Sequence, residues 1–279
     1  MILTIITINR NNAAGLEKTM QSVAGQTCKE FEYVVVDGAS TDGSVEVIKG
    51  IAEAFGDRIK WVSEPDKGIY NAMNKGIGMA TGEYLQFLNS GDILFSARVV
   101  EKMFGSLEQN LYPSMLYGNE LRARKRGILR DKGFAGRDIY FFDLYHSGMN
   151  HSPVYIKKDL FERYGLYDED LKIVSDWKWF LQSIVFQGEK PVYTDIDVTL
   201  FDSTGISRTN IELLYEERRK VLEDCVPPWV LKDYDYIGFP IEQIVRIKSH
   251  SWSYKIFWLF ERCLFKYEKW KRVIKKSLL

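Results

Sequence analysis

A chain of 279 residues is long enough for one large domain, or for one domain with an appendage. Its composition, with 46% hydrophobic and 27% charged residues, is typical of a globular protein and argues against intrinsic disorder. The 38 acidic and 38 basic residues give a formal net charge of zero, so no overall field draws the protein to nucleic acid or membrane.

The cysteines and the first residues indicate the compartment. Cys28, Cys225 and Cys263 lie far apart without a CxxC pair, which favours a reducing, cytoplasmic compartment over a disulfide framework or a zinc site. The apolar run from Met1 to Ile8 lacks a basic region before it, so a buried strand explains it better than a signal peptide. No window approaches the ~20 apolar residues that a membrane-spanning helix needs.

The first 95 residues alternate strand-like and helix-like segments. Strands are predicted at Ile2–Ile8, Glu32–Val36, Ile59–Ser63 and Glu83–Leu88. Between them, apolar residues recur at helical spacing: Leu16, Met20 and Val23, then Val45, Ile48 and Ala52, then Tyr70, Met73 and Ile77. This alternation predicts right-handed βαβ units and an α/β fold with a mostly parallel sheet flanked by helices.

The pattern loosens after residue 95. We expect a helix at Ala97–Leu107, a strand at Met115–Tyr117, a strand at Pro153–Lys157, helices at Asp159–Tyr164 and Asp176–Phe186, and a strand at Pro191–Phe201. Five basic residues in the middle predict a loop: Arg122, Arg124, Lys125, Arg126 and Arg130. Such a run is usually solvated, and the alternative for Arg122–Arg126 is contact with the phosphates of an acceptor. The predicted domains are 1–207, divided into halves 1–95 and 96–207, and a helical, basic and aromatic C-terminal extension (208–279).

Polar residues follow each of the first four predicted strands. The segments are Thr7–Asn11, Asp37–Gly43, Glu64–Gly68 and Asn89–Asp92. Asp, Gly and Ser are also ordinary turn residues, and either reading is possible for a single loop. Ligands of open α/β sheets bind outside the carboxyl ends of the strands, so we expect the four loops to share one site.

The absent motifs narrow the kind of site. No GxGxxG follows the first strand and no GxxxxGK[ST] is present, so the sequence lacks both common glycine cradles for phosphate. A nucleotide diphosphate bound without such a cradle needs another positive charge, and a divalent cation held by carboxylates supplies it. The acidic strand ends therefore favour metal-bridged diphosphate binding.

Five segments stand out by their order and spacing: TIITINRN (Thr4–Asn11), VVVDGASTDGS (Val34–Ser44), SEPDKGIYNAMNKGI (Ser63–Ile77), ATGEYLQFLNSGD (Ala80–Asp92) and SDWKWFLQ (Ser175–Gln182). In these segments the chain resembles family 2 of the glycosyltransferases, which are inverting enzymes with the GT-A fold. SEPDKGIY is similar to the subgroup that builds bacterial capsule and exopolysaccharide units. The resemblance implies a metal-dependent hexosyltransferase that moves a sugar from a nucleotide diphosphate sugar, a UDP-sugar in many relatives, to a saccharide or lipid-linked saccharide acceptor.

The resemblance implies that 1–95 is the nucleotide-binding half and 96–207 the acceptor half. It also implies roles for residues of the nucleotide-binding half. Asp37 would hydrogen-bond the nucleobase, with Thr7 and Asn9 framing that pocket. Asp66 would lie near the nucleotide and Lys67 near its phosphates. The adjacent Asn89 and Ser90 are also expected to contact the nucleotide, with Asn89 on the ribose or a bound water.

The metal motif departs from the family pattern. Where many relatives read Asp-Ser-Asp-Asp, this chain has Asn89-Ser90-Gly91-Asp92. We expect Asp92 to ligate Mn²⁺ or Mg²⁺, with an affinity weakened by Gly91 at the usual carboxylate position. The alternative is that Asp92 caps a helix beginning at Ile93.

Asp176 matches the acidic residue of the family's Glu-Asp motif, with Ser175 replacing the Glu. The implied role is general base: Asp176 takes the proton of the acceptor hydroxyl as it attacks the anomeric carbon opposite the leaving diphosphate. The alternative is that Asp176 only caps its helix. His151 is expected to contact the acceptor or simply to satisfy local hydrogen bonds. Ser207 is expected either to close over the diphosphate or to turn the chain before the next helix.

The C-terminal extension carries a basic and aromatic helix pattern. Between Ile241 and Leu279 there are ten Lys or Arg against three Glu. An apolar seam runs along Trp252, Ile256, Leu259, Cys263, Tyr267, Trp270 and Ile274. This composition favours peripheral contact of 252–276 with anionic lipid on the inner face of the cytoplasmic membrane. Docking on the protein's own catalytic domain or in a homodimer is the alternative.

The sequence also bears on two rival functions. A sugar nucleotidyltransferase would need a glycine-rich loop bearing Arg and Lys after the first strand, and Asn9–Ala13 is not such a loop. An inactive relative that binds nucleotide sugar or serves in assembly is favoured by Gly91 and disfavoured by the retained Asp37, Asp92 and Asp176. A nucleic-acid function is disfavoured because no known reading module is present.

Overall fold

A computed structural model describes residues 2–124, 127–202 and 209–237, and single residues Ile256, Leu259, Phe260, Arg262 and Tyr267. The chain divides into two compact units, Met1–Val221 and Leu222–Leu279. The predicted α/β class is confirmed for the first unit.

The first half of this unit is a parallel βαβ array. Its four strands have the order β3-β2-β1-β4, and they are β1 (Leu3–Asn9), β2 (Phe31–Asp37), β3 (Ile59–Ser63) and β4 (Tyr84–Phe87). The connecting helices are α1 (Ala13–Ala24), α2 (Ser44–Ala52) with the 3-10 helix Glu53–Arg58, and α3 (Ile69–Met79). The register sets Asn9 beside Asp37 and Asp37 beside Ser63, so the polar strand ends meet at one edge.

The apolar pattern explains this array. Every residue of β1 and β2 is buried, as expected of parallel strands covered by helices on both faces. Leu16, Met20 and Val23 of α1 recur at helical spacing and are fully buried in the same core as Tyr33.

The second half extends the sheet with mixed pairing. Its elements are β5 (Ile93–Leu94), α4 (Val99–Gln109), β6 (Met115–Arg124), β7 (Gly127–Asp131), α5 (Phe141–His146), β8 (Val154–Lys157), α6 (Asp159–Tyr164), α7 (Ser175–Phe180) continued by the π-helix Leu181–Phe186, and β9 (Val192–Phe201). The nine-stranded sheet has the order β3-β2-β1-β4-β8-β6-β9-β5, with β7 paired to β6. Antiparallel pairing of β5 with β9 brings the end of β9 beside the loop after β4.

The predicted basic loop is wrong for its described residues. Arg122 and Arg124 belong to β6 and Arg130 belongs to β7, which pairs with β6 as an antiparallel hairpin. Local polarity predicted a loop, but the edge strand β7 tolerates charged side chains. Arg122 of β6 lies between β7 and β9, and Glu120 and Asp131 balance its charge. Lys125 and Arg126 lie outside the described residues.

The chain after β9 is helical where it is described. Helix α8 spans Ile211–Cys225, and a further helix covers 228–237. Among the described residues, no helix combines the length and the apolar character needed to cross a membrane. Ser207 and most of 252–276, with the membrane contact predicted for that segment, lie outside the described residues.

Candidate active site at the carboxyl ends of the parallel strands

A cavity of about 460 Å³ opens at the carboxyl ends of the parallel strands. Seven of the residues predicted from the sequence line it together: Asn9, Asp66, Asn89, Ser90, Asp92, His151 and Asp176. They come from both halves of the first unit: the parallel array meets the segment before β8, which carries His151, and the first turn of α7, which carries Asp176. Carboxylates and amides converge here on one concave surface.

Asp37 lies behind this surface, with no exposed area. Its carboxylate accepts four hydrogen bonds: Oδ1 from Asn9 Nδ2 at 2.8 Å and Ser40 Oγ at 2.6 Å, and Oδ2 from Ser40 N at 2.9 Å and Ser63 Oγ at 2.7 Å. Burial by itself raises the pKa of Asp37, but these donors outweigh it and the pKa is lowered. Asp37 therefore stays charged, and its hydrogen bond with Asn9 Nδ2 holds that amide in place.

Thr7 and Lys67 are also outside the cavity lining. Thr7 Oγ1 donates to the Leu88 carbonyl at 2.7 Å, which ties β1 to the segment directly after β4. Lys67 is exposed, and its backbone N–H donates to Asn71 Oδ1 at 3.2 Å. Direct contact of Thr7, Asp37 and Lys67 with a nucleotide stays a prediction.

Asp66 is held at the cavity wall by a close backbone approach. Its Oδ1 accepts from the Gly68 N–H at 3.0 Å and lies 3.8 Å from Arg10 Nη1. A Cβ on Gly38 would lie 2.2 Å from Asp66 Oδ2, so only glycine at position 38 leaves room for this carboxylate.

Two carbonyl oxygens of cavity-lining residues lack hydrogen-bond partners. Asn9 Oδ1 and Asn89 Oδ1 are both buried and unpaired within the described part of the chain. Buried polar atoms in folded proteins nearly always have a partner. The N–H or O–H groups of a ligand in this cavity would satisfy both oxygens.

Asp92 is 4% exposed and lies against the end of β9. Its Oδ1 accepts from the Asp202 N–H at 2.8 Å. Burial raises the pKa of Asp92 to about 7, although this hydrogen bond opposes the shift. The alternative that Asp92 caps a helix is wrong, because strand β5 follows it and pairs with β9.

The motif glycine before Asp92 packs against a second carboxylate. Gly91 has a φ of +108°, and a Cβ at this position would lie 2.7 Å from Asp202 Oδ2. Thr19 Oγ1 holds the turn, accepting from the Gly91 N–H at 2.9 Å and donating to the Asp92 carbonyl at 2.7 Å. Asp202 also lines the cavity.

This donor set fits a metal ion shared with a ligand. Within the described ranges, no group of three or more His, Cys, Asp or Glu side chains is arranged to hold a metal. A Mg²⁺ ion bridging a nucleotide diphosphate needs only one or two protein carboxylates, because phosphate oxygens and waters complete its shell. Asp92 and Asp202 provide those two carboxylates in the same cavity.

Asp176 lies in the first turn of α7 and is held by three groups. His151 Nδ1 is 2.9 Å from Oδ2, while Oδ1 accepts from Tyr70 OH and from the Trp177 N–H, both at 2.9 Å. The cap position of α7 is Val174, so the alternative that Asp176 only caps its helix is wrong. His151 Nε2 in turn lies 3.2 Å from Asn89 Nδ2, which connects Asp176 to the nucleotide-binding half.

Hydrogen bonding shifts the protonation of this pair. Burial alone would lower the pKa of His151, but the hydrogen bond and charge of Asp176 outweigh it and raise the pKa. Burial alone would raise the pKa of Asp176, but the hydrogen bond and charge of His151 lower it. Each partner therefore favours the charged form of the other.

A second cavity, of about 480 Å³, lies on the other side of this pair. His151, Ile173, Asp176 and Phe201 line both cavities. The rest of its lining comes from β6 and β7, the segment after α5, the start of α7 and one face of α8, all within the first unit. A group entering from either side reaches the same His151–Asp176 pair.

A comparison with models of protein families identifies the family of this chain. Residues 4–161 match the model of the family described as Glycosyl transferase family 2. The chain belongs to glycosyl transferase family 2.

Curated relatives support this membership. The chain is 27% identical over 220 residues to a PGL/p-HBAD biosynthesis glycosyltransferase of Mycobacterium bovis, covering 78% of this chain and 83% of the relative. It is 31% identical over 205 residues to an uncharacterised glycosyltransferase of Mycobacterium tuberculosis, covering 73% and 76%.

Solved structures confirm the GT-A fold predicted from the resemblance. S. aureus TarS 1–349 in complex with UDP gives a TM-score of 0.61 at 16% identity, covering 72% of this chain and 60% of that one. The mannosyltransferase PcManGT from Pyrobaculum calidifontis, in complex with GDP-Man and Mn²⁺, gives 0.56 at 18% identity, covering 78% and 60%. This family 2 chain therefore spans less than two thirds of either solved structure.

Sequence reasoning missed three residues of this family 2 site. Tyr70 stands in the matching SEPDKGIY segment, where its helical spacing predicts only an apolar stripe of α3. Asp202 and Arg218 lie outside every motif, and no sequence pattern points to them. Their positions follow from the β5–β9 pairing and from the docking of α8.

Proposed function

We propose that this protein transfers a sugar from a nucleotide diphosphate sugar to an acceptor hydroxyl by one inverting displacement. The observation that carries the proposal is the meeting of two cavities at His151 and Asp176. A direct displacement needs the acceptor hydroxyl beside a base and in line with the anomeric carbon of the donor, so the donor and acceptor sites must adjoin at that base. The family membership supports the same reaction.

The first cavity is proposed as the donor site. Asn9, Asp66, Asn89 and Ser90 line it, and the unpaired amide oxygen of Asn9 accepts from a group such as a base N–H or a ribose hydroxyl. TarS has been solved with UDP and with UDP-GlcNAc, which supports a UDP-sugar here. The Asp37 carboxylate, which accepts from Asn9 and Ser40, supports a nucleobase pocket beside Asn9.

Metal dependence is part of the proposal. Asp92 and Asp202 would hold Mn²⁺ or Mg²⁺ together with the donor diphosphate. A divalent cation bound there supplies stabilisation of the negative charge that develops on the leaving diphosphate. A diphosphate held through that cation would lie in the same cavity as the His151–Asp176 pair.

The proton of the acceptor hydroxyl passes to the His151–Asp176 pair. Asp176 is the proposed base, and His151 stabilises its charged form before the reaction. The Asn89 amide tolerates either state of His151. Its NH₂ donates to an unprotonated Nε2, and a half turn of the amide lets Oδ1 accept from a protonated one.

The second cavity is proposed as the acceptor site, for a saccharide or lipid-linked saccharide in surface polysaccharide synthesis. Contact of His151 with the acceptor is part of this proposal. Closure by Ser207, peripheral membrane contact through 252–276, a cytoplasmic location on the inner membrane face and a homodimer stay predictions.

Donor binding followed by turnover tests the proposed function. Thermal shifts of the full chain with UDP-sugars and GDP-sugars, with and without Mn²⁺, identify the donor, because a ligand that binds the native state raises its melting temperature. Release of the nucleoside diphosphate of the identified donor then measures transfer to acceptor or water. UDP-sugar binding without any UDP release would favour the alternative of an inactive nucleotide-sugar-binding or assembly protein. Absence of binding to any nucleotide sugar would overturn both.

A further inference from the structure

Arg218 of α8 lies in the second cavity and is held there by its neighbours. The preceding residue, Glu217, accepts from the Lys172 N–H at 2.7 Å and from the Ile173 N–H at 2.9 Å. These bonds attach α8 to the segment that leads into α7. The Arg218 guanidinium therefore stays over the Trp177 ring, at 4.8 Å from its centroid.

Trp177 and Gly148 lie next to the Arg218 guanidinium and leave space for it. Trp177 is fixed by donation from its Nε1 to the Leu144 carbonyl at 2.8 Å. On the other side, a Cβ at Gly148 would lie 2.9 Å from Arg218 Nη2, so the missing side chain makes room for the guanidinium. The position of Arg218 is thus defined by packing.

Arg218 nevertheless has no counter-charge within the described part of the chain. Its Nε is buried without a hydrogen-bond partner, and it makes no salt bridge with a described carboxylate. Asp176 attracts it only at longer range, because both oxygens of that carboxylate are engaged by His151, Tyr70 and the Trp177 N–H. A desolvated cation without a partner is costly, and a ligand anion removes that cost.

The other arginine of this cavity is different. Arg122 Nε lies 2.7 Å from Glu120 Oε1, and its Nη2 lies 3.3 Å from Asp131 Oδ2. Its charge is already balanced by the protein, so it has little to offer an anion. Of the two arginines among the described residues of this cavity, Arg218 is the one left to a ligand.

We propose that the acceptor carries an anionic oxygen group, a phosphate or a carboxylate, and that Arg218 binds this group. The planar guanidinium presents several N–H donors in a fork that fits two oxygens of one anion. The inference rests on the proposed function, since it assigns the second cavity to the acceptor. It adds the chemical class of the acceptor: an acidic or phosphorylated saccharide, or one attached to a lipid phosphate.

The test measures acceptor-side binding with the donor cavity filled. Full-length protein saturated with UDP and Mn²⁺ is titrated with glucose 1-phosphate, glucuronate, a short-chain isoprenyl phosphate and glucose. We expect at least one anionic probe to bind about tenfold or more tightly than glucose, and Arg218→Gln to remove that preference. Arg219→Gln, on the next residue of α8 and exposed, makes the same charge change and is expected to leave the preference unaltered.

Two further variants separate charge from folding. Arg218→Lys keeps the charge without the fork and is expected to retain part of the preference. Gly148→Ala displaces the guanidinium without altering it and is expected to reduce the preference. The most strongly bound probe distinguishes a lipid phosphate, a sugar phosphate and a carboxylate as the source of the anion.

The outcomes also separate this inference from the proposed function. Equal binding of glucose and the anions by wild type, or an unchanged preference in Arg218→Gln, overturns the inference even when UDP binds normally. Loss of UDP binding in the wild-type protein would instead refute the proposed donor site.

Discussion

The carboxylate of Asp202 occupies the space into which a side chain at position 91 would project. Asp202 Oδ2 is 2.7 Å from the Cβ that Gly91 lacks, and the Gly91 φ of +108° disfavours any other residue. The matched sequence motif has no carboxylate at position 91, yet a carboxylate lies at this point of the cavity. It arrives from the end of β9, which the β5–β9 pairing brings alongside.

Restoring the family's carboxylate in the motif is expected to harm the protein. Gly91→Asp forces a side chain into a left-handed backbone and against Asp202, so the free energy of unfolding should fall by about 1–3 kcal/mol. Urea denaturation measures the change. Gly50→Ala in α2 is the matched control, because a Cβ there meets nothing within 4 Å and helical alanine is favoured by about 0.5–1 kcal/mol. An equally or more stable Gly91→Asp protein would contradict the backbone argument.

Measuring UDP affinity with and without Mn²⁺ tests whether Asp202 binds the metal ion. With wild-type protein, we expect Mn²⁺ to increase UDP affinity in calorimetric titrations. Asp92→Asn and Asp202→Asn should each reduce that increase about tenfold or more, while metal-free UDP affinity stays within about twofold. Asp57→Asn, an exposed site in the 3-10 helix, should behave as wild type. A full Mn²⁺ effect in Asp202→Asn would show that Asp202 does not ligate the ion.

The proton-accepting pair is expected to control turnover and not donor affinity. Asp176→Asn should lower kcat by about 10²–10⁴-fold, because the amide cannot accept the hydroxyl proton. His151→Gln should cause a smaller loss, since Gln keeps a neutral hydrogen bond to Asp176. Steady-state kinetics with the identified donor, together with UDP affinity, measures both. The exposed Asp170→Asn is the control in the same segment. Near wild-type turnover of folded Asp176→Asn would remove it as the base.

The same pair predicts a pH-dependent stability. The pKa of His151 is raised, so its contribution is complete below its unfolded value of about 6.5 and is lost as pH rises through the folded pKa. The pKa of Asp176 is lowered, so its contribution is present above its unfolded value of about 3.9 and is lost as pH falls through the folded pKa.

The stability difference between wild type and His151→Gln should therefore be greatest between about pH 4 and pH 6.5. A difference of about 2 kcal/mol is expected there, with a smaller one at pH 9. Urea unfolding across this range measures it. A difference independent of pH would mean that the pair is not charged in the native protein.

The sequence by itself determined the parallel half of the fold and most of the donor cavity. Buried apolar runs alternating with helical stripes require a sheet covered on both faces, and its order then places the ends of β1, β2 and β4 at one edge. Four cavity residues meet there because each one ends or follows a parallel strand: Asn9, Asp66, Asn89 and Asp92. Chain proximity and strand direction were sufficient for these residues.

Only the tertiary structure decided the rest. Asp202 reaches Gly91 through an antiparallel pairing of two-residue strand β5, too short for any periodicity to predict. Tyr70 and His151 become partners of Asp176 from positions 106 and 25 residues away in the chain. The unbalanced charge of Arg218 is visible only once the neighbours of α8 are known. Local sequence specifies which backbone conformation a segment favours, whereas packing of distant segments decides which charges are paired and which are left for a ligand.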